Sequence, residues 1–119
     1  MRTAANKPMA WVRIDDQLHA HPKIRHAWRS EPASLGLHLL ALSYVGAYLT
    51  DGNIPVEFVS DQLPSAARRN RAVKALEEAG LWERNGTGWT IHDYLDFNES
   101  RAKVLAKRRA DANRKRAVR

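Results

Sequence analysis

Ser65, Arg68, Arg69, Asn70, Arg71 and Lys74 place four cations, a carboxamide and a hydroxyl within ten consecutive positions. These groups share one chemistry. Guanidinium and ammonium groups neutralise phosphates, an Arg fork matches the two acceptors on a guanine edge, and an Asn amide matches adenine. Ser65 is a good helix N-cap, and Pro64 stops whatever helix precedes it. The segment therefore reads as a helix from Ala66 to Ala79, with its cations in the first half. Gly80 stands where a left-handed C-terminal residue belongs. At about 100° per residue, Ala72, Val73, Leu76 and Ala79 share a core face, while Asn70, Arg71 and Lys74 point away from it. The competing reading is a solvated face whose charge Glu77 and Glu78 partly cancel.

A second basic set lies in residues 99–119. It comprises Arg101, Lys103, Lys107, Arg108, Arg109, Arg114, Lys115, Arg116 and Arg119, against Glu99 and Asp111. Residues 1–98 hold 11 Lys and Arg and 11 Asp and Glu, so residues 99–119 carry all of the +7 net charge. As a helix from Glu99 to about Arg116, capped by Asn98, this segment lines up Arg101, Arg108 and Lys115 on one side. Lys103, Lys107 and Arg114 fall on the next. Phosphate contacts of this kind release counterions and add affinity without sequence preference. Val104 and Leu105 are too few for a coiled coil. A short helix without packing is marginal, so a disordered, solubilising tail is the other reading.

Other chemistries find little support. There is no cysteine, which removes disulfides and thiolate catalysis. No Gly-rich phosphate loop, supported Ser-His-Asp set or metal-spaced carboxylate set is visible. An enzyme is not expected, nor a cofactor. His19, His21 and His26 lie near Asp15 and Asp16, but their spacing matches no standard zinc motif. His38, beside an apolar helix stripe, reads as a satisfied, partly buried histidine, and His92 as solvent-facing. Met1 to Met9 has no apolar signal region. Leu35 to Leu49 is too short to span a bilayer. A soluble cytoplasmic protein with no membrane contact is expected.

The elements that must position the basic sets follow from periodicity and turn chemistry. Residues 1–10 read as a flexible arm. Trp11 to Ile14 alternates and forms a short strand or an extended lead-in. Asp15-Asp16 caps a short turn, and His21-Pro22 starts a helix with Ile24, Ala27 and Trp28 on one face. Leu35, Leu39, Leu42, Val45 and Leu49 form a helical stripe, thickened by Leu37, Leu40, Tyr44 and Tyr48. This helix is expected at the centre of the core. Asn53-Ile54-Pro55 allows only a minimal strand, and Val56 to Leu63 a short helix. Leu81 to Arg84 and Trp89 to His92 alternate around Asn85-Gly86, the strongest hairpin signal in the chain. Arg84 is the single cation of that hairpin turn and is a candidate contact to DNA backbone or minor groove, with a plain hairpin turn as the equal alternative. Trp82 and Trp89 face each other as a cross-strand or core pair, and Trp11 and Trp28 pack the N-terminal segment onto the body. The fold class is mainly α with a small β-hairpin: a winged helix-turn-helix over residues 11–98, with Ala66 to Ala79 as recognition helix, plus a basic C-terminal helix or tail over residues 99–119.

Several segments carry a family resemblance. Trp11-Val12-Arg13-Ile14 followed by His21-Pro22-Lys23-Ile24 resembles the opening of phage replisome-organiser N-terminal domains and related DnaD-type replication proteins. Ala75 to Trp82, and Trp89 to Leu95, are similar to the wing of those proteins and its exit, with Tyr94, Phe97 and Asn98 in comparable places. Small actinobacterial phage and prophage proteins look alike over residues 11–110. The resemblance implies a winged-helix DNA-binding protein of replication initiation or transcriptional control, acting at the nucleoid of a bacterial host. Its expected partner is double-stranded DNA. Some members self-associate through this domain, so a homodimer, or a host or phage replication protein, is the alternative partner.

Overall fold

The computed structural model describes Val12 and residues 14–118. The expected arm at residues 1–10, the packing of Trp11 and the last cation, Arg119, lie outside the described residues. Val12 and Ile14 belong to no helix or strand. Asp15 accepts from the Gln17 N–H at 2.9 Å and opens a single 3-10 turn, Leu18–Ala20.

Helix α1 (Pro22–Ser30) begins on Pro22 because a first-turn residue needs no N–H. His21 caps it, its Nδ1 accepting from the Lys23 N–H at 3.2 Å. Ile24 and Ala27 are buried as expected, but Trp28 is 53% exposed. Helix α2 (Ala33–Tyr48) lies at the centre of the core as expected, with Leu35, Leu42 and Tyr44 packed against it, but its buried face is turned away from the leucine stripe. The buried residues are Ser34, Leu37, His38, Ala41 and Val45, whereas Leu39, Leu40 and Tyr48 are exposed. The physical reason is that α2 contains no charged residue and is apolar on nearly every side, so hydrophobic period does not choose a face. Packing distance chooses it instead. Ser34 and Ala41 let neighbouring helices approach closely, and the Ser34 hydroxyl donates to the Ala27 carbonyl at 3.1 Å, tying α1 to α2.

Strand β1 (Asn53–Pro55) leads into helix α3 (Val56–Gln62), and a turn leads to helix α4 (Ala66–Glu78). Ala72, Val73, Ala75 and Leu76 of α4 are buried, close to the expected face, and Gly80 takes a left-handed φ of 78° just beyond its end. Strands β2 (Trp82–Arg84) and β3 (Gly88–Ile91) form the expected hairpin. Asn85 Oδ1 organises its turn, accepting from the N–H groups of Thr87 (2.9 Å) and Gly88 (2.8 Å). The expected two-stranded ribbon is, however, a three-stranded antiparallel sheet in the order β1-β3-β2. β3 is its central strand, pairing Ile54 with Trp89 on one side and Trp82 with Ile91 on the other. Trp82 and Trp89 share the buried face with ring centroids 5.8 Å apart, as the sequence suggested.

Gly88 makes the third strand feasible. A Cβ at Gly88 would stand 2.0 Å from the Ile54 carbonyl oxygen, a backbone atom that cannot move without breaking the β1–β3 ladder. Gly88→Ala is expected to lower stability by about 2 kcal/mol in urea denaturation. Gly86→Ala, where a Cβ meets nothing within 4 Å, serves as the control and should change stability little. Equal effects at the two glycines would show that β1 does not pair in this register.

The chain leaves the sheet through a single turn of helix, α5 (Tyr94–Phe97), and ends in α6 (Arg101–Ala117). The expected cap is corrected here. Asn98 ends α5, donating its N–H to the Tyr94 carbonyl at 3.0 Å, and α6 is capped two residues later by Ser100, whose Oγ accepts from the Lys103 N–H at 3.2 Å. His92 does not simply face solvent. It is half-buried, with Nδ1 2.6 Å from Glu83 Oε1 and Nε2 2.9 Å from Asp93 Oδ2. The described residues are thus mainly helical around one small antiparallel sheet. None of their helices is long and apolar enough to cross a membrane.

Candidate nucleic-acid interface

The α3–turn–α4 unit presents the first basic set. Ser65 Oγ accepts from the Arg68 N–H at 3.4 Å, which caps α4 and fixes where its first turn points. Arg69 secures the same turn from the other side: its Nη1 donates to the carbonyls of Leu63 (2.9 Å) and Pro64 (3.3 Å). These carbonyls have no helical partner, so the guanidinium substitutes for a missing backbone donor. Arg69 therefore positions the turn and is not aimed outward.

Arg68, Asn70, Arg71 and Lys74 are exposed. At about 100° per residue, Asn70, Lys74 and Arg71 fall within an arc of roughly 100°. They differ in what holds them. Arg71 Nε donates to Glu31 Oε1 at 3.2 Å, a contact across forty positions that links α4 to the α1–α2 junction. Lys74 lies 3.8 Å from Glu78, an exposed pair of a kind worth little. Arg68 and Asn70 form no ion pair or side-chain hydrogen bond among the described residues, which leaves them as the groups of α4 most available to an outside ligand.

Arg84, the candidate at the hairpin turn, is engaged within the fold. Its Nε donates to Glu77 Oε2 at 3.1 Å and its guanidinium sits 5.1 Å from the Trp89 ring centroid. Trp89 Nε1 donates to the same Glu77 oxygen at 3.0 Å. This small network joins the hairpin to α4 and accounts for Glu77 without reference to any ligand.

The second basic set is on α6. No side chain of this helix is buried; only Val104 and Leu105 are partly covered. Its root is held to the body, the Arg101 N–H donating to Asp51 Oδ1 at 2.6 Å. Asp51 also acts on Tyr94, whose hydroxyl pKa is raised by burial and by that carboxylate. The helix carries Arg101, Lys103, Lys107, Arg108, Arg109, Arg114, Lys115 and Arg116 against a single acid, Asp111. The cations divide by face. Lys107 pairs with Glu99 and Arg114 with Asp111, and both lie with Lys103 on one side. Arg101, Arg108, Arg109, Lys115 and Arg116 fall within an arc of about 120° on the other side and form no ion pair among the described residues.

Sequence reasoning grouped Arg101 with Arg108 and Lys115. It did not place Arg109 and Arg116 beside them, although the helical wheel contains that signal. It also missed Glu31 and Glu77 as internal partners, for which no local signal exists. Among the described residues, no group of three or more His, Asp or Glu is arranged to hold a metal. No known protein family, curated protein or solved structure matches this chain.

Proposed function

We propose that this chain is a winged-helix DNA-binding protein of phage type, acting in replication initiation or transcriptional control at the nucleoid of a bacterial host. In this reading α3 and α4 form the helix-turn-helix and the β2–β3 hairpin is the wing. The N-terminal half of α4 enters the major groove with Arg68 and Asn70 against base edges, and α6 lies along phosphates. The observation that carries it is the five-cation face of α6. A helix that buries nothing gains no stability from such charge, whereas a polyanion gains a row of phosphate contacts along about 25 Å of helix.

The reading is tested with a duplex selected from a random library and a mobility-shift titration. Replacing Arg68 and Asn70 together by Ala is expected to reduce the preference for the selected site over a scrambled one by about tenfold or more. The salt slope should change by about one unit only. Absence of any duplex binding by the full chain at low salt would sink the proposal.

One observation favours a second reading. The outer face of α2 exposes Leu39 (42%) and Leu40 (49%) on a helix without charged residues, with Tyr48 (60%) at its end. Such a surface supports self-association or docking of a host or phage replication protein. Salt-resistant dimers in sedimentation, combined with no duplex binding, would favour it over DNA recognition.

A further inference from the structure

A cavity of about 620 Å³ lies between α1, α2, the end of β3 and the start of α5, away from the α4 and α6 cations. That volume is within the usual range for small-molecule sites. Its walls are apolar: Ile24, Leu42, Leu81 and Ile91. One polar group stands among them. His38 lines the cavity and is only 5% exposed.

The His38 ring has a defined tautomer. Burial lowers its pKa to about 4, so it is neutral at pH 7. Its Nδ1 accepts from the Trp82 Nε1–H at 3.0 Å, so the ring proton sits on Nε2. Nε2 has no hydrogen-bond partner among the described residues. No fully enclosed side-chain nitrogen or oxygen of the described residues lacks one, which leaves Nε2 open at the cavity wall. The buried part of the cavity wall, Ile24, His38, Leu81 and Ile91, thus presents one hydrogen-bond donor beside apolar side chains.

The mouth has the opposite character. Asp15, Asp93 and Asp96 line it and are exposed. Lys23, the cation of this wall, extends toward Gly80 at the C-terminal end of α4. Of the two rim histidines, His21 is used as the α1 cap and His92 lies between Glu83 and Asp93. Asn98, also on the rim, is uncharged, so among the described residues the rim is net acidic.

We propose that this cavity binds a small amphiphilic amine. The ligand would have an apolar or aromatic body, an oxygen acceptor at its inner end for His38 Nε2–H, and an ammonium group at its outer end for the mouth carboxylates. A polar acceptor is required inside because an apolar end would leave the buried N–H without a partner. A cation is required outside because an anion would meet three carboxylates. The site needs no nucleic acid, and its test contains none, so its outcome is independent of the DNA-binding reading.

The test titrates the full chain, labelled with ¹⁵N, with tyramine up to about 10 mM and follows the Trp82 indole N–H. Tyramine should shift that resonance saturably, because the indole is bonded to the ring that contacts the phenol. Phenethylamine lacks the acceptor, and 3-(4-hydroxyphenyl)propionate replaces the amine by a carboxylate. Each should bind at least about tenfold more weakly. Asp96 is exposed, so Asp96→Asn leaves the fold intact; it should weaken tyramine binding about threefold. No saturable shift with tyramine would overturn the proposal. Equal affinity for phenethylamine would overturn the His38 contact, and equal affinity for the propionate would overturn the acidic mouth.

Discussion

Changing Arg101, Arg108, Arg109, Lys115 and Arg116 together to Gln is expected to lower duplex affinity about 10³-fold near 0.1 M salt, for specific and unrelated sequences alike. Each phosphate contact contributes about 0.9 to the slope of log affinity against log salt, so five contacts contribute about 4.5. Between 50 and 200 mM salt the unaltered chain should therefore lose about 500-fold more affinity than the variant. Gln keeps helix propensity close to that of Arg and Lys, so the helix itself is not the variable. The matched control is Lys103, Lys107 and Arg114 to Gln on the opposite side. Two of those cations are already held by Glu99 and Asp111, and the triple change should reduce the slope by clearly less than the five-residue change. Mobility shifts at four salt concentrations measure both. If the two sets act equally per residue, the five-cation face has no special role and α6 is only a diffuse charge. Truncation to residues 1–98, which removes every tail cation, should lose at least as much affinity as the five-residue variant.

The contrast between the two basic sets explains which parts of the molecule are legible in its sequence. Local chemistry was readable. Ser65 caps α4, Gly80 ends it left-handed and Asn85-Gly86 turns the hairpin, because each acts on backbone groups within a few residues. The charge of residues 99–119 was readable because α6 buries no side chain and meets the body only at its root, where the Arg101 N–H donates to Asp51. Long-range commitments were not. Of the cations assigned to DNA, Arg69 is bound to the turn carbonyls, Arg71 to Glu31 and Arg84 to Glu77 and Trp89. Composition shows a cluster of positive charge; only the fold shows which members are already occupied. The face of α2 was legible only in part, for a different reason: Leu35 and Leu42 pack against the core, but Leu39 does not. Leu35, Leu39, Leu42, Val45 and Leu49 keep a helical period, but so do Ser34, Leu37, His38, Ala41 and Val45, and the second set is the buried one. Where every side is apolar, the small residues that permit close approach decide the orientation, and hydropathy gives them no weight. The minimal strand at Asn53-Ile54-Pro55 was legible, but its pairing with β3 was not, because it depends on Gly88 lying against the Ile54 carbonyl across thirty-four positions of sequence.

Choosing the His38 face for the core has a thermodynamic consequence. Lowering the pH from 7 toward 4 is expected to remove about 3 kcal/mol of folding stability through this residue alone. Burial holds the pKa of His38 at about 4, against 6.5 in the unfolded chain. Between these values the unfolded state binds a proton that the native state refuses, so stability falls as pH falls. It is fully present above pH 6.5 and lost progressively as the pH drops through the window to about 4. The structural reason is visible at Nδ1, which accepts from Trp82, a residue 1% exposed. Protonation there would set donor against donor and strand the Trp82 N–H in the core. Urea denaturation at several pH values, compared with His38→Leu, isolates the effect from carboxylates that titrate in the same range. At pH 7 the variant should be less stable by about 2 kcal/mol, because the buried indole N–H has no acceptor. Toward pH 4 the native chain loses stability that the variant does not, and the two curves should converge or cross. A His38 that titrates near 6.5 by NMR, or two curves that stay parallel, would show that this ring is not held neutral by the core.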